Sequence, residues 1–272
     1  MPPVVAFFNQ KGGTAKTTST MNVAAALAER GVRVLAVDLD PQASLTMAFG
    51  VDVGQLERSV YDLLLDEDLS PASVLQPTTV ATVDLLPSHP DLATAEMALV
   101  SELERERLLA ARLVHPDLDG YDVIVIDAPP ALGLISINIL VAAQALIIPV
   151  EPHPLSLLVL PRLFDTIGRV KRLNPGLRVL GFLPTKVHST SRLAVDMLAT
   201  LEGRYPEVLI LPVVPLSVKG AESVALNTSI LEYSPRSPLA NAYRSVAEHI
   251  IRALNLPESE RPEHNDQQVA HV

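Results

Sequence analysis

The sequence contains no cysteine. Disulfides, thiolate zinc sites and cysteine-held iron–sulfur clusters are therefore excluded in this chain. Its first residues, MPPVVAFFNQ, lack a basic n-region and a small-residue cleavage site, so no secretion signal is expected and a cytoplasmic protein is the default. Basic charge is scarce: 21 Lys and Arg face 31 Asp and Glu, for a formal net charge of −10. Taken alone, that balance argues against a nucleic-acid partner. Charge is missing altogether between Asp127 and Glu151, a run long enough to cross a bilayer. Pro129 and Pro130 open the run, and Ser136, Asn138 and Gln144 interrupt it. It reads as a buried helix over about 133–143 and a buried strand over about 145–149.

With 272 residues, 48% of them hydrophobic, the chain can build one large core. Short apolar runs alternate with helical periodicity. PVVAFFN, VRVLAVDLD, VDLLPS (83–88), YDVIVIDAPP, ALIIPV, LRVLGFLPT and VLILPVVP read as strands. Helices are expected over the stretch that follows the first strand, over about 91–113, near 156–173, 191–203 and 217–226, and over 238–254. Repeated β-then-α order with β-branched strands predicts an α/β fold: a doubly wound, mostly parallel sheet flanked by helices. Sites in such sheets lie at the carboxyl ends of the strands. One domain is expected over 1–256, followed by an acidic tail, 257–272, expected to be disordered.

The first strand runs into FFNQKGGTAKTTST, which lacks both glycines of the G-x-x-x-x-G-K-[ST] phosphate loop: Gln10 and Ala15 occupy their positions. Gly12 and Gly13 stand between them. They let the backbone curl so that its amides face phosphate oxygens at a helix N-terminus. Lys16 then suits the β/γ-phosphates, and the Thr17 hydroxyl suits Mg²⁺. Ala15 is tolerable if its position is already helical, because alanine takes positive φ only at a cost. A second strand ends in VDLDPQ, with Asp38 and Asp40 at its carboxyl end; one can support Mg²⁺ or its waters and the other can orient a water. A third ends in DVIVID, placing Asp127 where a Walker B metal ligand belongs.

Together, KGGTAKTT, VDLDPQ and VIVIDAPP, with the later YSPRSPLANAYRSVAEHI, resemble the ParA/MinD family of deviant Walker A ATPases, and within it the short Soj-like ParA proteins. The similarity runs from Val4 to about Leu254. The resemblance implies ATP/ADP and Mg²⁺ as cofactors and a homodimer that sandwiches two nucleotides. In it, Lys11 reaches the partner's phosphates as a lysine counterpart of an arginine finger. It further implies that Asp40 positions the water, that Asp38 supports the metal site with Thr17 and Asp127, and that Thr18 touches the α-phosphate. Lys11, Gly12, Gly13, Thr14, Ala15, Lys16, Thr17, Thr18 and Pro215 form the implied nucleotide set, with Lys11, Lys16 and Asp40 as its catalytic members.

Within the family, membrane-binding relatives end in a basic amphipathic helix; here the tail carries Glu258, Glu260, Glu263 and Asp266, so no membrane partner is expected. Residues 161–252 carry a net charge of +5 and the remainder −15. The resemblance gives that basic third a role, non-specific binding of double-stranded DNA through Lys186, Arg192 and Lys219. Leu216 replaces an arginine of the family pattern, and Lys171, Arg172 and Arg178 are the candidates to compensate. A ParB-type partner that stimulates hydrolysis, and a nucleoid-associated location, complete the expectation. Operator-specific repression is not expected, because no helix-turn-helix precedes the loop.

Overall fold

A computed structural model describes residues 1–188 and 190–258. Residues 259–272 of the acidic tail, with Glu260, Glu263 and Asp266, lie outside the described residues. Seven strands form one sheet: β1 (Val4–Phe7), β2 (Val34–Asp38), β3 (Gln76–Pro77), β4 (Val83–Leu86), β5 (Val123–Asp127), β6 (Ala145–Val150) and β7 (Arg178–Pro184). Their order is β3-β4-β2-β5-β1-β6-β7. All pairings are parallel except that of the edge strand β3 with β4.

The period-two alternation within each strand divides the core in two. Val4 and Ala6 of β1, with Leu35, Val37, Ile124 and Ile126, belong to the apolar cluster on one face. Val5 and Phe7, with Val34, Ala36, Val123 and Val125, belong to the cluster on the other. Every one of these side chains is fully buried. A sheet covered on both faces needs strands apolar at consecutive positions, as these are. Helices α3 (Val60–Leu65), α5 (Leu108–Leu113), α6 (Leu134–Ala142) and α7 (Pro154–Val170) cover the first face. The second is covered by α1 (Lys16–Glu29) and α11 (Pro238–Leu254), with α2 (Ser44–Ala48) and α10 (Ile230–Tyr233) beside them. The uncharged run 128–150 is indeed split between α6 and β6. Among the described residues no helix is long and apolar enough to cross a membrane.

Two expected elements are not formed as expected. The helix predicted over 91–113 is broken into a 3₁₀ turn at Pro90–Thr94, a single α-helical turn α4 (Ala95–Ala98), a 3₁₀ turn at Leu99–Ser101, and α5. Met97, Val100 and Leu103 repeat at helical spacing but are 76%, 63% and 90% exposed, so no apolar partner rewards a continuous helix there. Glu104 takes φ 51 at the break. Asn138 of α6 stitches the gap, donating to Arg105 O at 2.8 Å and accepting from Leu109 N at 3.0 Å.

The strand predicted at VLILPVVP runs alongside β7 but, among the described residues, contributes isolated bridges in place of a ladder, Phe182 with Ile210 and Val187 with Pro215. Pro184 of β7 has no N–H to give to Leu211 O, and its own carbonyl accepts from Val214, so the ladder is interrupted between Leu211 and Val214. Leu201 of α8 (Arg192–Arg204), which precedes this segment in the chain, joins the first apolar cluster, and Val224 of α9 (Val218–Ala225), which follows it, packs against the second.

Candidate functional site

The carboxyl ends of β1, β5 and β2 lie side by side. Phe7 is in register with Asp127, and Asp127 with Asp38. β5 therefore sits between the strands of the glycine loop and of Asp38, which places Asp127 beside the loop and Asp38 one strand further out.

The loop leaves β1 and enters α1 at Lys16. Gly13 has φ 76, a left-handed conformation that glycine adopts freely. Gly12 has no positive φ. The condition under which alanine is tolerable there is not met: at φ 60, ψ 33 Ala15 is left-handed, and it forms the N-cap of α1 without a side-chain cap. The loop thus takes the geometry a glycine would favour and imposes it on alanine.

Lys16 is 7% exposed, and its Nζ donates to Lys11 O at 3.4 Å. Burial lowers the pKa of its ammonium, against the charges of Asp127 and Asp40. Lys11 donates through Nζ to the buried Ser156 Oγ, 3.2 Å away in the first turn of α7, and its N–H is held by Asn9 Oδ1 at 3.0 Å. Ser156 was not legible in the sequence. Only its position after His153-Pro154, a helix-opening pair, sets it near the loop.

Thr17 Oγ1 donates to Asp127 Oδ2 at 2.5 Å. Asp127 is fully buried, and its Oδ1 has no hydrogen-bond partner among the described residues. Burial and the nearby Asp38 push its carboxyl well above the usual range, against the Thr17 bond and Lys16. Asp38, equally buried, is pushed up to about 6, chiefly by burial, with hydrogen bonds from Thr46 and Asp40 opposing. Its oxygens accept from Thr46 N (2.9 Å), Thr46 Oγ1 (2.8 Å) and Asp40 N (3.1 Å). Two buried carboxylates in adjacent register, one oxygen unsatisfied and a hydroxyl beside it, make a donor set that suits a hard divalent cation. The free acceptor belongs to Asp127. Asp38 is committed to holding the loop that carries Asp40, and Thr46, which the sequence did not single out, fixes it. Asp40 is half-buried, its Oδ1 accepts from Gln42 N at 3.0 Å, and its carbonyl accepts from Ser88 Oγ at 2.7 Å.

Beside the loop a cavity of about 340 Å³ is lined by Ala15, Thr18, Lys186, Pro215, Leu239 and Tyr243, among others. Thr18 and Pro215, both of the implied nucleotide set, line this one cavity. Lys186 joins them: it has φ 55, and its Nζ donates to Gly13 O at 2.6 Å. The adjacent Thr185, fully buried, donates to Thr14 O at 3.0 Å.

The remaining basic candidates are scattered. Arg192 opens α8 and is exposed, and Lys219 in α9 donates to Ser234 Oγ at 3.1 Å. Lys171 and Arg172 follow the C-terminus of α7, and Arg178 begins β7, donating to Ala253 O at 2.6 Å. Those three sit at the opposite edge of the sheet from the glycine loop, because α7 leaves the carboxyl edge and β7 returns from the other.

The sequence profile of the AAA domain family matches residues 3–179. The chromosome-partitioning ATPase Soj of Thermus thermophilus is 39% identical, over 91% of this chain and 94% of that protein. The sporulation initiation inhibitor protein Soj of Bacillus subtilis is 36% identical, over 92% of this chain and 98% of its own. A crystal structure described as cobyrinic acid a,c-diamide synthase from Mycobacterium smegmatis, with bound ADP and magnesium, superposes with a TM-score of 0.82 at 37% identity, covering 95% of this chain and 99% of that one. With its deviant glycine loop, its buried aspartates and these relatives along nearly its whole length, the chain belongs to the ParA/MinD-type AAA domain family of P-loop NTPases.

Proposed function

We propose that the protein is a Soj-like partitioning ATPase, binding Mg²⁺ and ATP, dimerising around the nucleotide, holding DNA without sequence preference, and letting go on hydrolysis. The observation that carries the reading is the unsatisfied, buried Asp127 Oδ1 beside Thr17, at the foot of a loop whose amides and Lys16 suit a polyphosphate. Thr17 and Asp127 would hold the metal. When bound, it would neutralise charge between the terminal phosphates. Asp40 would orient the water, Lys16 would bind the β/γ-phosphates, and the apolar pocket at Thr18 and Pro215 would take the base. Lys11, exposed enough to move and held by a single hydroxyl, would cross to the partner's phosphates. A ParB-type protein would stimulate the reaction.

The description of the Mycobacterium smegmatis structure favours a second reading, an ATP-dependent amidation of a carboxylic acid. A glutaminase step with a cysteine nucleophile is impossible in this cysteine-free chain, so ammonia would have to be supplied. Sedimentation with ADP, ATP and a non-hydrolysable analogue, with duplex DNA at low and high salt, separates the two. The partitioning reading expects an analogue-dependent dimer that binds DNA and releases it as salt rises. It also expects Lys11→Ala to lose about 1,000-fold or more of partner-stimulated hydrolysis, in line with finger residues. Normal stimulated turnover in that variant would sink the trans-lysine role.

A further inference from the structure

The Lys186 contact has a geometric consequence for the glycine loop. In a trans peptide the C=O and N–H point in opposite directions. Lys186 Nζ holds the Gly13 carbonyl at 2.6 Å, and Thr185 Oγ1 holds the next carbonyl, Thr14 O, at 3.0 Å. Both carbonyls are thereby turned toward the end of β7. The N–H groups of the same two peptides, on Thr14 and Ala15, must point away from it. In the sheet order β5-β1-β6-β7, that is the side of β5 and Asp127. Two consecutive residues at the end of one strand therefore fix two consecutive amides over the candidate phosphate site.

Two further observations agree. Lys186 adopts φ 55, a conformation unfavourable for any residue with a Cβ, and the contact to Gly13 gives that strain a use. The same side chain lines the cavity that Thr18 and Pro215 share. Its cation is committed to the loop's own carbonyl.

We propose that Thr185 and Lys186 form a clamp that sets the amide geometry of the phosphate loop, making Lys186 a nucleotide-positioning residue and not a DNA contact. The proposal rests on the nucleotide-binding reading above. A clamp of this kind pre-orients donors and places a positive charge behind them, so it favours any bound polyphosphate, ADP as well as ATP.

The test is binding of a fluorescent ADP with Mg²⁺ to the full chain and to Lys186→Gly, Lys186→Met and Lys186→Arg. Glycine removes the ammonium while relieving the backbone strain, so thermal stability should hold or rise. ADP affinity should nevertheless fall about tenfold in the glycine and methionine variants, the size of one charge-assisted hydrogen bond. Arginine should restore most of it. A structural role alone would not produce weaker binding in a glycine variant of undiminished stability. Unchanged ADP affinity in both the glycine and methionine variants would overturn the clamp. If the salt slope of DNA binding then fell by about one unit, Lys186 would return to the DNA face. Failure of the unaltered chain to bind ADP would instead overturn the nucleotide reading, and is seen in the wild-type arm alone.

Discussion

Ala15 shows the limits of reading residues one at a time. Its place before Lys16 was visible in the sequence, and so was the cost of positive φ at an alanine. What the sequence did not reveal is that the loop would keep its left-handed turn and make the alanine conform, at φ 60. The left-handed conformation costs an alanine about 1–2 kcal/mol. Glycine would relieve that strain but add about 0.4–1 kcal/mol of unfolded-state entropy. Relief wins by a small margin, so Ala15→Gly should stabilise the protein by about 0.5–1 kcal/mol, a rise of about 1–4 °C in Tm for a chain of this size. Differential scanning calorimetry would measure it, and a lower Tm would mean that the strain is not there. The aspartates were easier to read, because a carboxylate after four or five apolar residues marks a strand end whatever the topology. Their division of labour was not legible. It depends on Thr46 satisfying Asp38 while Asp127 Oδ1 stays open, and a contact from a strand end to a helix eight residues on has no sequence signature.

At the scale of elements, strands inside the sheet were legible because burial on both faces demands apolar residues at consecutive positions, and β1 and β6 have them throughout, β2 and β5 up to their terminal aspartates. The segment after α8 looked like another strand by the same rule. Pro184 of β7, which cannot donate to it, stops it from pairing continuously, and it survives as a packed edge against β7. Gly181 makes that packing possible. A Cβ there would lie 2.7 Å from Leu211 Cγ and 2.9 Å from the Leu209 carbonyl. The backbone carbonyl cannot swing aside as a side-chain tip can. Gly181→Ala should therefore cost about 1–3 kcal/mol by overpacking, measured by urea denaturation. The same push would displace the segment that carries Pro215 to the wall of the cavity proposed for the base, so ADP affinity should fall along with stability. Loss of stability with full ADP affinity would show that the segment does not shape the pocket. The broken helix at 91–113 failed for the opposite reason: its periodicity was present, but Met97, Val100 and Leu103 have nothing to pack against.

At the scale of the whole molecule, the charge asymmetry was visible in the sequence but its geometry was not. Residues 161–252 carry a net +5, yet their cations divide between two edges of the sheet. The parallel topology forces this division. α7 starts at the carboxyl edge and runs for 17 residues, which carries Lys171 and Arg172 about 25 Å away. Arg192, which opens the next helix after β7 returns, is back at the carboxyl edge. Lys219 follows Pro215, whose bridge to Val187 ties it to the same end. A duplex held by a dimer built around the nucleotide site would meet the edge with Arg192 and Lys219 and leave Lys171 and Arg172 untouched. The rest of the chain, at net −15, would repel DNA from most other approaches. Each phosphate contact contributes about 0.9 to the slope of log affinity against log salt concentration. Arg192→Glu and Lys219→Glu, measured by fluorescence anisotropy on analogue-loaded protein, should each weaken binding and lower that slope by about one unit. The double variant Lys171→Glu, Arg172→Glu should leave the slope where it was. The opposite pattern would place the duplex at the far edge, and its binding could no longer be gated by a nucleotide site on the other side of the sheet without a longer mechanical path.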